Sequence, residues 1–88
     1  MKALKKFIEN ELKKKYQSEI INDEIAFVVS KSTIVKIGTI RNSIVVEYAN
    51  STEEAKNNIY DDGGVFSTEI YSQDEILKMV LEEISEEA

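Results

Sequence analysis

Residues 25–49 read IAFVVSKSTIVKIGTIRNSIVVEYA, and this stretch decides the fold. It holds three runs rich in Ile, Val and other β-favouring residues, at 25–29, 33–40 and 44–49. Ser30-Lys31-Ser32 and Arg41-Asn42-Ser43 separate them. A run this short does not make a convincing buried helix and suits a pleated, half-buried surface. Parallel neighbours need long crossovers, so links of three residues imply an antiparallel meander. Gly38, inside the second run, marks a bend, a bulge or a close neighbouring backbone. Alternation puts Val45 and Glu47 on one side of the third strand and Ile44, Val46 and Tyr48 on the other.

Upstream, Leu4, Phe7, Ile8, Leu12 and Tyr16 fall on one stripe of a 3.6-residue period. This predicts a helix over 2–17, with Lys13, Lys14 and Lys15 where positive charge suits the helix dipole. Residues 18–23 read as a connection, with Asn22-Asp23 as its turn signal. Downstream, Ser51-Thr52-Glu53-Glu54 matches a capping box and predicts a short helix over 52–60. Asp61-Asp62-Gly63-Gly64 reads as a turn. Residues 65–71 alternate, with Phe66, Thr68 and Ile70 on one side, and predict a fourth strand. Ser72-Gln73-Asp74-Glu75 is a second capping box. Ile76, Leu77, Val80, Leu81 and Ile84 make the apolar stripe of a last helix over 73–86. The expected fold is a single α+β domain over 1–88, in the order αβββαβα. Its sheet is four-stranded and mainly antiparallel, with the N- and C-terminal helices packed on one face. That leaves the other face open, and apolar residues pointing outward there would favour a homodimer.

The chain has 88 residues and no Cys, His, Trp or Pro. These absences remove the usual zinc ligands, a thiol nucleophile, an imidazole base and any disulfide framework. No Gly-x-Ser-x-Gly elbow occurs, and Gly38, Gly63 and Gly64 are too scattered for a phosphate loop. No apolar run approaches the roughly 18 residues of a membrane span. The basic start, Met1 to Lys6, is not followed by a continuous apolar segment, so a signal peptide is not expected and cytoplasmic residence is. Abundant Ile, Lys and Asn point to an AT-rich bacterial or phage coding sequence.

The net charge of −6 is unevenly spread. Residues 1–46 hold nine Lys/Arg against five Asp/Glu, a net of +4; residues 47–88 hold two against twelve, a net of −10. The two halves either neutralise one another in the fold or leave an acidic face for a partner. The six lysines of the first helix read as a solvated face rather than a phosphate-binding one, given the overall acidity and no nucleic-acid-reading motif. Asp61, Asp62, Glu69 and Asp74 are hard oxygen ligands, but their spacing is not that of an EF-hand loop. Paired carboxylates for acid–base catalysis require a cleft that so small a domain rarely encloses.

In size, acidity, helices at both ends and lack of catalytic residues, the chain resembles the small acidic α+β proteins of bacterial and phage genomes. Toxin-immunity proteins and phage inhibitors of host defence are among them, and no shared motif assigns residue roles. The expected function is a non-enzymatic protein-interaction module: an inhibitor, an immunity-type or a regulatory protein, with no cofactor and no metal. The expected contact residues are Asp61, Asp62, Asp74, Glu75, Glu82, Glu83 and Glu86. A DNA mimic that occupies a nucleic-acid-binding target is the alternative, because a rigid carboxylate array imitates phosphates. A small metal-dependent module or enzyme is the third reading. Against all of these stands the plain role of surface acids in solubility.

Overall fold

The meander forms where its β-branched runs lie, and it extends further than the sequence alone indicates. A computed structural model describes residues 1–87. Helix α1 (Lys2–Lys13) leads into five strands interrupted by one short helix: β1 (Gln17–Ile21), β2 (Glu24–Ser30), β3 (Thr33–Ile40), β4 (Ser43–Ala49), α2 (Thr52–Lys56) and β5 (Asp61–Ser67). Helix α3 (Gln73–Glu87) closes the chain. The strands make one antiparallel sheet in the order β1-β2-β3-β4-β5. The radius of gyration is 12.0 Å, matching the ~12 Å of a compact chain of this length.

Several expectations are corrected. The sheet has five strands and the order is αββββαβα, because the segment taken as a connection contains β1. Asn22 and Asp23 both adopt positive φ, at 54° and 65°. They form the two-residue turn of a β1–β2 hairpin whose register pairs Ile21 with Glu24. The first helix ends at Lys13 instead of residue 17, and Tyr16 still leans on the main core. The acidic turn at 61–64 is instead the start of a strand, so β5 lies four residues earlier than expected. Ile70 falls beyond it and is 72% exposed.

The glycines of β5 serve a purpose other than turning. Neither has positive φ. They lie at a register shift opposite Val46, where β5 carries an extra residue against β4. A Cβ on Gly63 would collide with the Tyr48 ring and the Glu83 carboxylate, and one on Gly64 with Glu83 and the Phe66 ring. The bare backbone is what lets α3 approach this strand.

The main core fills the face covered by α1 and α3. Phe27, Val35, Ile37, Ile44 and Val46 from the sheet meet Ile8 and Leu12 from α1 and Ile76, Val80 and Ile84 from α3. Both long helices therefore lie on one face, as their stripes require. The opposite face is partly covered. Helix α2 sets Ala55 against Ile21, Ala26, Ile34 and Ala49 in a second, smaller cluster. Val45, expected on an open face, is 1% exposed.

Local chemistry explains the helix ends. Asn58, at φ 56°, terminates α2 early. The Ile59 N–H donates to the Glu54 carbonyl (2.9 Å) and the Asn58 N–H to the Ala55 carbonyl (3.0 Å), the paired bonds of a Schellman end. The Asn22 side chain donates to the Ala55 and Lys56 carbonyls (3.3 and 3.0 Å), tying the first hairpin to the same helix end. At the start of α2 the Glu54 N–H donates to Ser51 Oγ (3.1 Å), while the Glu54 carboxylate accepts from the Asn50 N–H (3.2 Å). The capping box of α3 is reciprocal: Glu75 N–H to Ser72 Oγ (3.2 Å) and Ser72 N–H to Glu75 Oε1 (2.9 Å). Replacing Ser72 with Ala removes that cap and costs about 1 kcal/mol. A thermal melt of S72A falls by roughly 4–8 °C.

Candidate interaction surface

The acids do not form a single array. Asp61 pairs across the sheet with Tyr48, and Asp62 with Glu47. Strand alternation therefore sends Asp61 to the helix-covered side and Asp62 to the other. The hydroxyl of Tyr48 donates to Glu83 Oε2 at 2.6 Å, and the Gly64 N–H donates to the same oxygen at 3.0 Å. Burial raises the Tyr48 pKa far above its ordinary value, and the Glu83 hydrogen bond and the charges of Glu83, Glu87 and Glu86 add to the effect. Glu83, Glu86 and Glu87 of α3 thus lie near one tyrosine, whose register partner on β5 is Asp61.

Glu82 lies with Lys15, Leu81, Ser85 and Glu86 around a shallow groove. Asp74 and Glu75 lie in the first turn of α3, about 13 Å along the axis from Glu83. Glu75 is held by the Ser72 cap, whose hydrogen bonds lower its pKa. Of the seven expected contact residues, Asp61, Glu83 and Glu86 neighbour Tyr48, and Glu86 also borders the groove that holds Glu82. Asp62 sits at the same end of β5 on the opposite face, and Asp74 and Glu75 are remote. Glu83 carries an internal structural role that the sequence did not reveal. Its tyrosine partner is distant in sequence, and only the glycine pair hinted at a close approach.

Among the described residues, one ion pair, Lys36–Glu47, joins the basic and the acidic half. Lys5 pairs with Glu9 (3.7 Å), Lys14 with Glu11 (2.8 Å), and Lys36 with Glu24 (3.0 Å) and Glu47 (3.9 Å). Among the described residues, no acid from Glu53 onward makes an ion pair. The cation best enclosed by the fold, Lys36, is committed to the opposite sheet face. There it also donates to Asn58 Oδ1 (3.3 Å) and stacks 4.3 Å from the Tyr60 ring centre. Among the described residues, no three acids converge as a metal-binding group, and no helix is long and apolar enough to cross a membrane.

Burial raises the pKa of both Glu9 and Glu47 against the lowering effect of their lysine neighbours. A carboxyl with a raised folded pKa holds its proton more tightly when folded. Between the ordinary value near 4.5 and the raised value, stability therefore grows as pH falls. Glu75, with its pKa lowered, acts oppositely and only below 4.5. Chemical denaturation at pH 5 and pH 8 should give the higher stability at pH 5.

No protein family matches this sequence, and no curated protein or solved structure is significantly similar to it.

Proposed function

We propose that this chain is a non-enzymatic interaction module that binds a cationic surface on another protein and thereby inhibits or regulates it. The contact surface is the acidic flank of Asp61, Glu86 and Glu87, with Asp62 at its rim and Glu83 fixed beneath it. One observation carries the reading: among the described residues, the acids from Glu53 onward make no ion pair, so their charge is left without an internal cation. Such a field speeds encounter with an opposite charge and makes association salt-sensitive.

The experiment is charge neutralisation. Asp61, Asp62 and Glu86 are exposed, so the triple variant Asp61→Asn, Asp62→Asn, Glu86→Gln retains the fold and melts within a few degrees of wild type. It loses binding to the partner at low salt. Retained binding would place the contact elsewhere.

A further inference from the structure

The opposite edge of the sheet carries a second, differently built surface. A groove of about 400 Å³ runs between α1 and the β1–β2 hairpin. Its helical wall carries Lys2, Lys6 and Lys13, which share one helical stripe and make no ion pair among the described residues. Its floor is apolar: Ile25 is half-buried, and Ile20 is 69% exposed. Beyond Ile20, β1 is an edge strand. Apart from its ladder with β2 it makes no backbone hydrogen bond among the described residues.

The two edges of the sheet are treated differently. At β5 the Glu83 carboxylate accepts the Gly64 N–H, and an acidic side chain over an edge is one way of blunting it. At β1 an exposed isoleucine is paired with an open backbone, a combination that invites another strand.

We propose that this groove docks an extended acidic segment of a partner protein, which adds to β1 as a sixth strand. The added strand would lie about 4.8 Å beyond β1. Its helix-facing side chains would meet Ile20, and the lysine stems of α1 would reach over them. The fitting pattern is apolar residues at alternate positions, flanked by carboxylates. A nucleic acid fits less well. The floor offers isoleucine rather than a stacking ring. Glu9, Asp23 and Glu24 also line the groove and oppose any anion, so the attraction for the acidic segment rests on the unpaired Lys2, Lys6 and Lys13 among the described residues. This surface is independent of the acidic flank and engages a partner of opposite charge.

The test is a titration of the ¹⁵N-labelled full chain with the peptide acetyl-Glu-Thr-Val-Thr-Val-Thr-Glu-amide, with its Lys-for-Glu counterpart and with a 12-base-pair DNA duplex. The acidic peptide should perturb the amides of residues 17–21 and slow their hydrogen exchange. It should bind about tenfold more tightly than the lysine peptide. Ile20→Asp, and separately the triple variant Lys2→Gln, Lys6→Gln, Lys13→Gln, should each weaken it by about tenfold. Both variants change exposed positions, so an unchanged melting temperature shows that the fold persists. The neutralised acidic-flank variant should bind the peptide as well as wild type does, separating this surface from the one proposed above. Equal binding of the two peptides, no binding of either, perturbation confined to other residues, or displacement of the acidic peptide by the duplex would overturn the proposal.

Discussion

Phe27→Ala lowers the melting temperature by roughly 15–30 °C, the largest effect expected of any single truncation in this protein. Phe27 is the largest fully buried side chain, and it lies in the core between the sheet and the two long helices. Removing a buried phenylalanine costs about 3–5 kcal/mol, through lost transfer energy and the cavity left behind. A domain of this size has a total stability of roughly 4–13 kcal/mol, so the variant retains little margin. Truncation of Ile20, equally apolar but exposed, should change stability by less than about 0.5 kcal/mol. Circular-dichroism melts of the two variants check the contrast, and similar melts would mean that the core has been misplaced.

The second large effect concerns the contact of α3 with β5. Glu83→Ala removes the acceptor of two hydrogen bonds and leaves the Tyr48 hydroxyl and the Gly64 N–H without it. The expected cost is about 1.5–3 kcal/mol, in the range for bonds to a charged group. Gly64→Ala should cost a comparable amount by a different route, since its Cβ would overlap the same carboxylate. The two substitutions share a site and should not add. With the carboxylate gone, the new methyl keeps only its clash with Phe66, so the double variant should cost at least about 1 kcal/mol less than the sum. Urea denaturation of the four proteins completes the cycle. Strict additivity would show that Glu83 and Gly64 do not touch.

The parts of the fold that bury apolar surface were legible in the sequence, and the parts held by pairing were not. Strands β3 and β4 are marked by their own residues, and the stripes of α1 and α3 fix which face each buries. Strand β1 has no such mark. Four of its five residues are exposed, so no alternation is left to read. What specifies it is the Asn22-Asp23 turn, whose two positive φ values align the flanking residues in a hairpin. Asp61-Asp62-Gly63-Gly64 is poor β sequence on any local scale. It becomes strand because β4 offers it a ladder and because only glycine clears Tyr48 and Glu83. The same logic governs the acidic surface. The number of acids was readable, but their sorting was not, since it depends on strand alternation at Asp61 and Asp62, a cap at Glu75 and a tyrosine at Glu83. The charge asymmetry gains a definite meaning from the ion pairs, which among the described residues stay within residues 5–47 and leave the acids from Glu53 onward without a cationic partner.

The acidic flank is tested most directly by affinity capture from a native lysate. The full chain and the Asp61→Asn, Asp62→Asn, Glu86→Gln variant are compared at 50 mM and 500 mM salt (about a threefold change in screening length). The expected result is a protein partner retained by wild type at low salt, released at high salt and absent from the variant. A partner held equally by both proteins, or by wild type regardless of salt, would contradict the acidic flank as the binding surface.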